Sequence, residues 1–226
     1  MEKNQKSVKA GSFKGIKKPV KNIIKLRSYN LKNMKFFSKK EIKIVGIILF
    51  LIAFVSFFNF RVSIRRARDN QRKNDLGTLQ SALENYNHAT GMFPLSSSDG
   101  KILACKGSDT YFDEEKQTWV NIKVCDWGKD DLADFSDPDN PVFMSPIPID
   151  PKNLDGISFI YLSNGKRYQL LAHLEGKDEA EYNPKVEARA IMCGDEVCNY
   201  AKAFSSTPID ISVEEYENQL LEEKDK

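Results

Sequence analysis

The sequence predicts an α+β protein, in which a long N-terminal transmembrane helix continues into a stalk packed on a small antiparallel β-sheet domain. Three observations carry this. Ile44–Phe60 holds no charge and is long enough to cross a hydrocarbon core, which takes about 17–25 residues. Leu76, Leu79, Leu83 and Tyr86 then recur at the spacing of one helix face, with Arg72, Lys73, Asp75, Gln80 and Glu84 on the others. Beyond Gly91 and Pro94 the pattern changes to short alternating stretches separated by turn residues.

Taken in order, residues 1–41 form a lysine-rich tail interrupted by Pro19, with the composition of a disordered cytoplasmic segment. Its apolar residues, among them Ile23, Ile24, Phe36 and Phe37, suit contact with an anionic lipid surface. No recognised module accompanies the charge, so specific nucleic-acid binding is not expected. Residues 42–60 form the membrane helix. Asn59, Phe60 and Arg61 follow it in place of a small-residue cleavage site, so it reads as an uncleaved anchor. Phe50, Phe54, Phe57 and Phe58 share a face directed at lipid, and no GxxxG motif is present.

Residues 61–92 form an extracytoplasmic stalk. No proline interrupts Ile42–Tyr86, so both halves are expected to make one helix of roughly 49 residues, about 73 Å long. The net charge of +2 conceals an asymmetry: residues 1–43 carry +12 and residues 74–226 carry −15. Fourteen cations before the span against six after it (Arg61, Arg65, Arg66, Arg68, Arg72, Lys73) place the N-terminus in the cytoplasm.

Residues 93–210 form a β-rich head. It contains all four cysteines, Cys105, Cys125, Cys193 and Cys198, an even count that suits disulfides outside the membrane. Strands are expected at Ile102–Cys105 and Trp119–Cys125, which a Cys105–Cys125 bridge would join. Cys193 and Cys198 suit a turn closed by its own disulfide; a four-cysteine zinc site is the alternative, and connectivity stays open. Asp126–Pro151 reads as a surface loop. Ser158–Ser163 and Arg167–Leu174 flank Asn164-Gly165-Lys166, a hairpin signal. Residues 211–226 form an acidic C-terminal tail, a short helix or frayed end.

Two segments resemble type IV pilin-like and type II secretion pseudopilin-like proteins. Ala67–Pro94, "ARDNQRKNDLGTLQSALENYNHATGMFP", is similar to their stalk helix, with its G-x-(Y/F)-P exit at Gly91-Met92-Phe93-Pro94. Pro146–Glu175, "PIPIDPKNLDGISFIYLSNGKRYQLLAHLE", is similar to their aspartate-proline, tyrosine strand, turn and "Y-x-L-x-A-x-L-E" pattern. The resemblance implies a pilin-like fold and a structural or assembly role in a pilus, secretion or DNA-uptake system. It implies other pilin-like subunits as partners through the N-terminal helix, with Asn59 or the Arg65–Lys73 patch setting register. The chain lacks a recognisable prepilin peptidase site. Phe37 and Glu41 have the spacing, but Phe36 stands in place of glycine, and Lys39, Lys40 and Lys43 interrupt the apolar run. A monomeric anchored binding module is the alternative.

No catalytic constellation is visible. The two histidines read as structural: His88 at a helix end, and His173 as a solvent-facing strand residue. No phosphate loop, GxSxG or HExxH appears, so neither an enzymatic activity nor a small-molecule substrate is expected. Asp130, Asp131, Asp134, Asp137 and Asp139 offer hard oxygens, and the resemblance raises calcium for them. They lack the EF-hand glycine and read as a solvated loop, leaving no expected metal or cofactor.

Overall fold

The computed structural model describes residues 38–137 and 139–224. The tail read at residues 1–41 therefore lies, up to residue 37, outside the described residues. The chain divides into two compact units, Met1–Leu51 and Ile52–Lys226.

In the first unit the described residues begin a helix, α1, which runs Lys39–Thr90. Its start is a capping box. The Ser38 hydroxyl accepts from the Glu41 N–H at 3.3 Å, and the Glu41 carboxylate accepts from the Ser38 N–H at 2.6 Å. The helix thus begins three residues before the expected Ile42, because Ser38-x-x-Glu41 supplies the partners that the first orphan N–H groups need. Here α1 is long and apolar enough to cross a membrane by length and composition, and none of its most apolar 18-residue window is buried.

In the second unit α1 ends where the sequence predicts. Gly91 takes φ +82° and donates to the Asn87 carbonyl at 2.8 Å, closing the last turn. Leu76, Leu79 and Leu83 are fully buried, and Tyr86 is half-buried, edge-on to Phe143. The head is built from small antiparallel sheets. One holds β1 (Leu95–Ser96), β2 (Ile102–Cys105) and β5 (Lys123–Val124) in the order β1-β2-β5. Strands β3 (Tyr111–Asp113) and β4 (Thr118–Val120) pair as a hairpin, as do β6 (Leu132–Ala133) and β7 (Val142–Met144).

The central sheet contains β8 (Ile160–Ser163), β9 (Tyr168–Ala172) and β12 (Tyr200–Ala203), ordered β12-β9-β8. The predicted hairpin is present: the Asn164 side-chain oxygen accepts from the Lys166 and Arg167 N–H groups, and Gly165 takes φ +85°. In this sheet Tyr161 pairs with Leu170, while Ile160 pairs with Leu171 and Leu171 with Ala201. Tyr161 and Leu170 join the core with the leucine stripe; Ile160, Leu171 and Ala201 join a second core with Val186, Cys193 and Cys198. Both faces are covered, so β9 is buried at every residue and shows no alternation. A short helix, α2 (Pro184–Ala188), and the hairpin β10 (Met192–Cys193)–β11 (Glu196–Val197) belong to that second side.

Both cysteine pairs are disulfides, Cys105–Cys125 and Cys193–Cys198, each with Cα atoms 5.1 Å apart. In the chain-entropy picture the first, closing about 20 residues, contributes roughly 3 kcal/mol.

Two expectations change. Trp119–Cys125 is not one strand: Asn121, at φ +58°, turns the chain, so β4 pairs with β3 and β5 with β2. Asp126–Pro151 is more than a surface loop, since it forms β6 and β7 and buries Leu132, Ile147 and Asp150. Its inward residues are too widely spaced to show a period. Of the two forms expected for the acidic tail, the structure has the helix, α3 (Val213–Lys224), anchored by buried Val213 and by Arg167, whose Nε donates to Glu217 at 2.7 Å.

Candidate functional site

Beyond the membrane-type segment, α1 carries the cations that the sequence reading offered for contacts with neighbouring subunits. In the structure most of them are engaged within the chain. Arg72 is fully buried, and its fork is bidentate to Asp150, with Nε–Oδ2 at 2.8 Å and Nη2–Oδ1 at 3.0 Å. Its Nη1 also donates to Asp69 Oδ1 at 2.8 Å and to Glu175 Oε1 at 2.9 Å. One turn earlier, Arg68 holds both oxygens of Glu175, at 2.6 and 2.5 Å. Arg65 donates to Asp178 at 2.6 Å, and Lys73 bridges Glu179 and Glu181, each at 3.0 Å.

Asp69 binds backbone as well as charge. Its two oxygens accept from the N–H groups of Glu175 and Gly176, at 2.9 and 3.1 Å. This fixes the chain as it leaves β9. On the far side, Asn199 accepts from the Leu174 N–H at 2.7 Å and donates to the Leu174 carbonyl at 2.9 Å, so the same corner is held from both directions. A buried carboxylate is stable only when paired and hydrogen-bonded, and Asp69 meets both conditions.

The clasp joins the two segments singled out in the sequence. Asp69 and Arg72 come from Ala67–Pro94; Asp150 and Glu175 come from Pro146–Glu175. Sequence reasoning did not foresee their meeting. Of the six cations after the span, Arg66 stays largely exposed, 3.4 Å from Asp178, and Arg61 lies over the Phe57 ring.

No family model, curated protein or solved structure matches the chain. The chemistry of the site therefore rests on its own geometry. Burial alone would lower the Arg72 pKa, but the hydrogen bonds and charges of Asp150, Glu175 and Asp69 outweigh it, and the net shift is upward. Burial likewise pushes Glu175 up, while Arg68 and Arg72 pull harder and hold it at about 2. The groups saturate one another's hydrogen-bonding positions. Their arrangement locks a helix to a sheet and offers no free base, nucleophile or open ligand position.

The pH consequence has a definite sign. The Glu175 carboxyl is more acidic in the folded chain, so the unfolded chain takes up its proton first. The associated stability is fully present above about pH 4.5 and is lost as pH falls toward 2. The shift corresponds to on the order of 3 kcal/mol. Following intrinsic fluorescence of the full chain in detergent from pH 7 to 2 should show loosening in that window, and Glu175→Gln should flatten it. An identical acid profile for the two proteins would remove Glu175 from this role.

The remaining candidates fall elsewhere. His88 is exposed near the end of α1. His173 is half-buried, its Nδ1 2.7 Å from the Val197 carbonyl, so the solvent-facing expectation gives way to a link between β9 and the disulfide turn. Of the loop aspartates, Asp130, Asp134 and Asp137 serve local structure, while Asp131 and Asp139 are exposed. Asp130 accepts from Lys123 and from the Asp126 N–H, both at 2.8 Å. Asp134 caps Ser136, and Asp137 caps Asp139. Among the described residues no three His, Cys, Asp or Glu side chains are placed to hold a metal.

Proposed function

We propose that the chain is a non-enzymatic pilin-like or pseudopilin-like single-pass membrane protein, a structural or assembly component of a type IV pilus, secretion or DNA-uptake type system. Its N-terminus is cytoplasmic and its disulfide-containing head lies outside. The observation that carries this reading is the character of α1. One unbroken helix changes from an apolar, unburied segment to one whose leucines are core residues and whose charges are clasped by the head. Such a helix can lie in lipid before assembly and against neighbouring helices afterwards. The +12 tail and the two disulfides support the orientation.

A second reading has its own support. Phe36 where glycine is expected, with Lys39, Lys40 and Lys43 entering the helix, favours an unprocessed, monomeric, tethered binding module. Mass spectrometry of the membrane-extracted chain, together with cysteine crosslinking at Phe54→Cys, separates the two. Lateral crosslinks support the assembly component; an intact N-terminus without them supports the tethered module. Digestion of the lysine-rich end by protease added to intact cells, with the head spared, would reverse the orientation.

A further inference from the structure

Pro151–Ile157 forms a rigid knuckle that presents one leucine to solvent. Leu154 sits in a 3-10 helix, Asn153–Asp155, and its side chain is 100% exposed. No other large apolar side chain among the described residues is so bare. The knuckle is not a loose loop. Gly156 closes it at φ +82°, and the Cys193–Cys198 turn packs directly behind: the Asp195 N–H donates to the Gly156 carbonyl at 3.0 Å, and the Ser158 N–H donates to the Cys193 carbonyl at 3.1 Å. A leucine on a backbone held in this way loses little main-chain freedom on binding and only its own rotamer freedom, which suits an anchor residue.

The same disulfide turn borders a groove. Ile191 and Met192, just before Cys193, face Ile160 and Leu162 of β8 and the turn at Ser98–Gly100 around a space of about 270 Å³. Met192 is half exposed there. Charge at the two sites is matched. Lys152 and Asp155 flank the knuckle, 3.5 Å apart; Asp99 and Lys101 flank the groove, 3.7 Å apart. Either pair can exchange partners with the other, cation to anion on both sides.

We propose that the occupant of the groove is Leu154 of a second copy of this chain, with Lys152 meeting Asp99 and Asp155 meeting Lys101 across the contact. Knob, groove and both charge pairs belong to one chain, and the chain does not fill its own groove with the knob. The contact is small. A stable interface in free solution buries about 800 Å² per partner, far more than one leucine and its rim supply. It therefore operates between copies already held side by side, where tethering raises the effective concentration. In this respect the inference rests on the lateral association proposed above.

Two tagged full-length variants, Leu154→Cys and Met192→Cys, are coexpressed in one membrane and treated with a short bismaleimide. Leu154 is fully and Met192 half exposed, so neither change opens a cavity in the core, and non-reducing peptide maps confirm the native disulfides. The expected result is a mixed pair formed several-fold more than either like pair. A mixed pair no more abundant than the two like pairs together is the yield of random collision and overturns the proposal. A parallel Phe54→Cys sample reports whether copies lie adjacent at all. Helix crosslinks without the mixed head pair refute the head contact and leave the assembly reading standing; absence of both refutes the two together.

Discussion

Replacing Arg72 with methionine should destabilise the folded head by about 3–5 kcal/mol, the cost of stranding a buried charge without its partner. Three carboxylates converge on this guanidinium, two of them fully buried. Methionine fills much of the volume but leaves Asp69, Asp150 and Glu175 facing one another. Small domains are stable by about 5–15 kcal/mol in total, so the loss is a large fraction. Urea midpoints of the full chain in detergent measure it directly. Arg72→Lys should fare nearly as badly, because an ammonium cannot reproduce the fork that meets both oxygens of Asp150. Arg66→Met is the control. That side chain is 60% exposed, and its removal should shift stability by no more than about 0.5 kcal/mol. Equal midpoints for Arg72→Met and Arg66→Met would mean the clasp does not hold the head to its helix.

Phe93→Ala should cost about 3–5 kcal/mol, the usual loss for truncating a buried aromatic. Phe93 is 1% exposed, with its ring edge-on to Tyr168 and Phe204, each with centroids 4.8 Å away. Its N–H donates to the Gly165 carbonyl at 2.8 Å, tying the helix exit to the tip of the β8–β9 hairpin. Alanine keeps that hydrogen bond and leaves a cavity where the three rings meet. Met92→Ala, one residue away and 54% exposed, should change little. If the two variants unfold at the same urea concentration, the exit is not a packed junction.

What could be read in advance follows from how strongly each feature repeats. The leucine stripe, the Gly91 stop and the Asn164-Gly165 turn each rest on a strong local rule, and all three are present. The clasp was hidden because charged residues on a helix ordinarily face water. A signal did exist: positions 69, 72, 76, 79, 83 and 86 advance by alternating steps of three and four, so Asp69 and Arg72 continue the buried face toward the N-terminus. Their partners, Asp150 and Glu175, lie 78 and 103 residues from Arg72. No local pattern reports contacts at that range. The split of Trp119–Cys125 into two strands was equally hidden, since a positive φ at Asn121 leaves no mark on the alternation of its neighbours.

The order in which the core is completed has a consequence for biosynthesis. Leu76, Leu79 and Leu83 leave the ribosome well before Tyr161, Tyr168, Leu170 and Tyr200, the residues of the central sheet that share their core. At about 5–20 residues per second, the roughly 100 intervening residues take on the order of 5–20 s. Throughout that interval the nascent helix carries a bare greasy face, and for the first part of it Arg72 has Asp69 of its own helix but not yet Asp150 or Glu175. If the head is exported as proposed above, the pathway that delivers it must shield that face until the last strand arrives.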